Sequence, residues 1–100
     1  MAEQLTDAAC AEAMKRIPDW TRGDRGGVAR IERSLAFTDF QAAFRFMVEV
    51  AAKAEEIQHH PEWSNVYNRV DIALTTHDCG GLSALDFTLA EFIDTRFSAT

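Results

Sequence analysis

The chain has 100 residues, of which 47% are hydrophobic and 26% charged, and carries a formal net charge of −6. That length leaves room for one core, burying about 60% of the unfolded surface or a little more, so residues 1–100 are expected to form a single domain. The composition excludes a disordered chain, and the ten basic residues are scattered rather than gathered on one face, so nucleic acid is not an expected direct ligand.

The N-terminus carries Glu3 and Asp7 where a secretory leader needs basic and then apolar residues, so none is expected. Thr6 followed by Asp7 reads as a helix N-cap with an acid in the first turn, and Cys10, Ala13, Met14 and Ile17 recur at helical spacing until Pro18-Asp19 stops them. The expected helix is short and forms a lid or outer layer. Trp20 and the polar, glycine-rich run Thr21 to Gly27 predict a short strand leading into a turn. From Ala29 the pattern alternates, with Ala29, Ile31, Arg33, Leu35 and Phe37 on one face and Arg30, Glu32, Ser34 and Ala36 on the other, as in a half-buried strand.

Thr38-Asp39-Phe40-Gln41 has the form of a capping box with Thr38 as the cap, opening a long helix over 38–58. Its apolar positions, Phe40, Ala43, Phe44, Phe46, Met47, Val48, Val50, Ala51, Ala54 and Ile57, cover an arc of about 200°, twice the stripe of about 100° that one core contact requires. The surplus has two explanations: a helix–helix interface with further copies of the chain, giving a dimer or tetramer, or a helix sunk in its own core. The most apolar part of this segment, 42–52, is interrupted by Arg45 and Glu49 and is too short to span a bilayer, so no membrane partner is expected. Pro61 ends the helix and, by restricting the residue before it, places the break at His60.

Two extended runs follow, Trp63 to Tyr67 and Val70 to Thr76, with Asn68-Arg69 between them as a tight turn. His77 is expected at the far end of the second strand. Asp78-Cys79-Gly80-Gly81 reads as a loop. Ser83-Ala84-Leu85-Asp86 is a second capping box, opening a final helix whose apolar face is Leu85, Leu89, Phe92 and Ile93, with Leu82 and Phe87 as a hydrophobic staple. The order helix, strand, strand, helix, strand, strand, helix predicts an α+β two-layer fold, a four-stranded antiparallel sheet with three helices on one face.

All three histidines, His59, His60 and His77, fall between Glu55 and Asp86. Imidazole titrates near neutrality, so such a set can hold one protonated donor beside one neutral acceptor, which suits an elimination or dehydration. Other readings compete with this one. A zinc site could use His59 or His60 with His77 and Cys79, but neighbouring histidines on a regular helix diverge by about 100° and no paired-cysteine motif accompanies them. Cys79 could be a nucleophile with His77 as its base, although positions i and i+2 on extended chain suit this poorly. Asp86 could be a capping acid or a catalytic support, and Trp63 and Tyr67 could be core or pocket wall. Two cysteines, Cys10 and Cys79, are too few for a disulfide framework and point to a reducing compartment, so a cytoplasmic protein is expected.

Glu55, three residues, His59-His60-Pro61, five residues, Tyr67, nine residues, His77, eight residues and Asp86 make a spaced set that resembles the signature of the pterin-4a-carbinolamine dehydratases. The resemblance extends through Phe44-Arg45-Phe46-Met47, His60-Pro61-Glu62-Trp63, Asn65-Val66-Tyr67-Asn68 and Thr76-His77-Asp78-Cys79, covering the chain from about Trp20 to Phe97. It implies dehydration of 4a-hydroxytetrahydropterin, the species left by a pterin-dependent aromatic amino-acid hydroxylase, to quinonoid dihydropterin, with no metal or organic cofactor. By the same resemblance His59 and His77 are the acid/base pair, and His60 holds and orients the pterin. Glu55 and Asp86 hydrogen-bond the ring or fix an imidazole tautomer, Pro61 locks the helix end and Trp20 walls the pocket. The family further implies a tetramer assembled through the long helix. As an alternative function it implies a non-catalytic dimerisation or regulatory module acting through that helix on a transcription factor or hydroxylase, since animal members stabilise the dimer of a homeodomain transcription factor.

Overall fold

The computed structural model describes residues 2–100. Its elements run α1 (Asp7–Met14), β1 (Thr21–Arg25), β2 (Val28–Ala36), α2 (Phe40–Ile57), β3 (Glu62–Val66), β4 (Arg69–Leu74), a short 3₁₀ turn (His77–Cys79) and α3 (Ala84–Ser98). The four strands form one antiparallel sheet in the order β1-β2-β4-β3, so the expected α+β two-layer architecture with its element order is what the chain adopts.

Both hairpins close on two-residue turns, each by its own means. Gly26 and Gly27 take φ of 62° and 84°, the doubly left-handed turn whose twist matches paired strands. The β3–β4 turn falls on Tyr67-Asn68, one residue earlier than Asn68-Arg69, because Val66 pairs with Arg69. Tyr67 adopts φ 50°, a conformation that costs a side-chain-bearing residue about 1–2 kcal/mol. The Asn65 amide offsets it by donating to the carbonyls of Tyr67 and Arg69 at 3.0 and 2.9 Å.

Alternation sorts the sheet into two faces. Ile31 and Leu35 of β2 and Val70, Ile72 and Leu74 of β4 point to the helices and are buried, and there they meet Ala43, Phe46, Val50 and Ala54 of α2 and Phe87, Leu89, Ala90 and Ile93 of α3. The Phe37 ring closes one end of this core, with centroids 5.0 Å from Phe46 and 5.2 Å from Phe97. Burying each such ring stabilises the fold by about 2–3 kcal/mol.

The ends of α2 depart from the sequence pattern. Its N-cap is Asp39, not Thr38: Asp39 has an extended backbone and its carboxylate accepts from the Ala42 amide at 2.8 Å. Aspartate outranks threonine at this position, and the shift leaves Gln41 out of reach of a reciprocal bond. At the other end the helix stops at Ile57 because Gln58 turns left-handed, φ 55°, and its side-chain amide donates to the Glu55 carbonyl at 2.7 Å. The break thus precedes the position that Pro61 dictates, and His59 and His60 lie beyond the helix. His77 likewise lies outside β4, at the start of the 3₁₀ turn that an isolated Thr76–Gly81 bridge closes.

Candidate active site

Three chain segments meet at the open end of the β3–β4 hairpin: the connection after α2, the 3₁₀ turn after β4, and the N-terminus of α3. Their meeting point is Asp86, which has no exposed surface. Its Oδ2 accepts from the Ser83 backbone amide at 2.9 Å and from the Thr76 hydroxyl at 2.8 Å, and its Oδ1 contacts His59 Nε2 at 2.6 Å. Ser83 Oγ and Thr76 Oγ1, 2.8 Å apart, complete the network. One oxygen of Asp86 therefore closes the capping box of α3 with Ser83 while the other holds an imidazole, so the capping and supporting contacts coexist.

A carboxylate oxygen accepts, so His59 donates from Nε2, and in the neutral imidazole the lone pair is then on Nδ1. The same arrangement recurs twice on the surface. His60 Nε2 lies 2.8 Å from Glu55 Oε1, and His77 Nε2 lies 3.0 Å from Glu62 Oε2. The hydrogen bond from His77 holds Glu62 below the usual carboxylate range, against the opposing effect of burial and with the charge of Arg30 acting in the same sense as the hydrogen bond. Each histidine thus has its own carboxylate. The three pairs are tied along the chain, since Glu62 follows His60-Pro61 and His77 follows Thr76.

A cavity of about 680 Å³ opens beside His59, lined by Ile57, Gln58, Thr76, Asp78 and Leu85 and, from the N-terminal segment, Ala2, Glu3 and Leu5. Its size lies within the range of small-molecule sites, about 300–1,000 Å³. The N-terminal segment is pinned by the Leu5 amide donating to the Leu82 carbonyl at 2.8 Å, and Gln4 packs so close to Gly81 that a Cβ there would meet its Nε2 at 3.0 Å.

Of the residues singled out in the sequence, the structure brings His59 and Asp86 into direct contact, pairs His60 with Glu55, and leaves Pro61 half-buried between His60 and β3. Trp20 stands apart: it is buried in the core, its indole N–H donates to Asp94 at 2.8 Å, and it does not line the cavity beside His59. Cys79 directs its thiol to the carbonyls of Thr76 and Gly81, at 3.3 and 3.6 Å, while His77 turns to Glu62, so the two do not form a nucleophile–base pair. Among the described residues no three His, Cys, Asp or Glu side chains converge as a metal-binding group, and no helix is long and apolar enough to cross a membrane. Thr76, Glu62 and residues 2–5 were not legible as site components. Their contacts join positions far apart in sequence, and the one available signal was the placement of Glu62 directly after His60-Pro61.

One carboxylate-held imidazole, His59, lines a cavity of small-molecule size on a two-layer α+β frame, and two more, His60 and His77, are held by carboxylates at the surface. Residues 3–96 match the family model described as pterin 4 alpha carbinolamine dehydratase, and the chain belongs to that family. A relative from Rhizorhabdus wittichii, provisionally named a pterin-4-alpha-carbinolamine dehydratase, is 56% identical over 92% of this chain and 93% of its own length. Another so named, from Rhodospirillum rubrum, is 50% identical over 94% of this chain and 96% of its own. Among solved structures, a transcriptional coactivator/pterin dehydratase from Brucella melitensis superposes with a TM-score of 0.87 at 39% identity, covering 94% of this chain and 98% of that one. A pterin dehydratase-like RuBisCO assembly factor of the α-carboxysome shares the fold, with a TM-score of 0.68 at 19% identity over 82% of this chain and 93% of that one.

Proposed function

We propose that this chain dehydrates a 4a-hydroxytetrahydropterin to the quinonoid dihydropterin by histidine acid/base catalysis, in the cytoplasm, serving the recycling of tetrahydrobiopterin after an aromatic amino-acid hydroxylase. The observation that carries this reading is the buried His59–Asp86 contact at the edge of the 680 Å³ cavity. Expulsion of the hydroxyl needs two proton movements and no change of oxidation state. An imidazolium protonates the departing hydroxyl, the C4a–O bond breaks, the N5 lone pair forms the C4a=N5 bond, and a neutral imidazole takes the N5 proton as water leaves.

His59 and His77 are the proposed acid/base pair, with the assignment of acid and base open to either. His60, with Glu55 behind it, binds the pterin, and Pro61 fixes the path of the chain from His60 into β3. Asp86 acts through His59. Carbinolamine decay followed by ultraviolet absorbance, with substrate generated by a pterin-dependent hydroxylase, is the test. Wild-type protein is expected to accelerate the decay and His59→Ala and His77→Ala each to lower kcat about 10²-fold; decay no faster than in buffer would sink the proposal.

A second reading concerns association. Phe40, Phe44 and Val48 project from α2 with 44%, 52% and 54% of their surface exposed, and the rings of Phe40 and Phe44 stack at 5.7 Å. This stripe is the part of the wide apolar arc that the core leaves uncovered, and its proposed occupant is the same stripe on further copies, giving a dimer or tetramer. A regulatory role through this helix, as the coactivator name of the Brucella melitensis protein suggests for that protein, would use the same surface. Phe44→Glu is expected to give a smaller species in light scattering, and an unchanged mass would refute the interface.

A further inference from the structure

The face of the sheet turned away from the helices carries a row of side chains that ends at the candidate site. Glu32 of β2 and Glu62 of β3 both pair with Ala73 of β4, so the two residues flank one alanine with their backbones about 10 Å apart, two strand spacings. Ala73 faces this open side, yet it is only 4% exposed. Arg30, on the same face of β2, spans the gap. Its Nε lies 3.1 Å from Glu32 Oε2, out of line for a hydrogen bond, its Nη1 lies 3.7 Å from Glu62 Oε1, and the side chain is 14% exposed. Glu62 therefore turns one oxygen to the sheet and the other, Oε2, to His77 Nε2 at 3.0 Å.

We propose that Glu62, anchored by Arg30, is a positioning residue that accepts the Nε2–H of His77 and so presents Nδ1 of that imidazole to the substrate. The inference rests on the reading of His77 as a member of the dehydratase acid/base pair. His77 needs such a support more than His59 does. Its side chain is 72% exposed, and no packed wall restricts its rotamer. Glu62 itself would be free to swing at the start of an edge strand without the arginine that lies across Ala73. An exposed pair of this kind contributes little to folding, so its removal disturbs the imidazole without unfolding the chain.

The test uses Glu62→Ala, Glu62→Gln and Arg30→Met in the full chain, with two readouts. The first is ¹³C relaxation at the His77 ring, which needs no substrate. The ring is expected to gain mobility in Glu62→Ala, less in Arg30→Met and least in Glu62→Gln, which keeps an acceptor oxygen, while the His59 ring is unchanged. The second is carbinolamine turnover, where Glu62→Ala is expected to lower kcat about tenfold with KM within about twofold, and Glu62→Gln to recover most of the loss; this is a fraction of the 10²–10⁴ carried by a general acid or base itself. An unchanged His77 ring in Glu62→Ala, or unchanged kcat in an enzyme that is active as wild type, overturns the positioning role. Wild-type protein without turnover overturns the dehydratase reading instead, and ring mobility then decides the Glu62–His77 support alone.

Discussion

His59 and His77 make the same kind of hydrogen bond in opposite surroundings. His59 is 8% exposed and its partner Asp86 is fully buried, whereas the side chains of His77 and Glu62 are 72% and 42% exposed. In the first setting the carboxylate is closed off from solvent, and losing it leaves several donors unsatisfied in a low-dielectric interior. In the second, water competes at both ends and the contact adds little to the stability of the fold. The three imidazoles therefore divide into one fixed by folding and two, His60 and His77, held by carboxylates at the surface.

The strongest way to break this contrast is Asp86→Ala, which strips the acceptor from His59, Ser83 and Thr76 at once and removes the reciprocal half of the α3 capping box. Urea unfolding is expected to show a loss of about 3 kcal/mol, the scale for breaking a buried polar pair; a loss below about 1 kcal/mol, no more than a surface pair gives, would erase the distinction between the two legs.

A pH series sharpens the exposed leg. The His77 hydrogen bond, and after it the Arg30 charge, depress Glu62. A carboxylate depressed in the folded state contributes stability that is present above its unfolded value and is lost as pH falls through the lower folded value. The stability difference between wild type and Glu62→Gln is expected to be small, because the site is screened, and to disappear on the acid side of the carboxylate range. A difference that persists into strong acid would mean that packing, not charge, supports the pair. The smallest effect belongs to Glu55→Ala: with His60 and Glu55 59% and 72% exposed, stability should stay within about 0.5 kcal/mol, and any consequence should appear in KM for the pterin. A larger drop in a thermal melt would show that this pair belongs with the buried one.

Local chemistry was legible where it is written in adjacent residues. Gly26-Gly27 announced its hairpin, the alternation from Ala29 placed β2, and Ser83 with Asp86 announced both the start of α3 and its capping box. Signals failed where two local rules competed. Thr38 lost the N-cap to Asp39, and the left-handed turn at Gln58 ended α2 before Pro61 could act, which freed His59 and His60 from the helical spacing that set them 100° apart. Phe46, one of ten apolar positions on the arc, proved to be core at 1% exposure, and Phe44 beside it is the solvent-facing ring. The site contacts lay further beyond local reading: His59–Asp86 spans 27 positions and His77–Glu62 spans 15. Trp20 was drawn to the site by resemblance alone, while its indole had a partner in Asp94 that no nearby residue announces.

The shared use of Asp86 makes one backbone amide a native gauge of the site. The Ser83 N–H donates to the same carboxylate whose other oxygen holds His59, so its exchange with deuterated solvent proceeds only when that carboxylate lets go. Protection at Ser83 thus reads the assembly of the imidazole's support in the resting protein, with no substrate present and no label at the histidine itself.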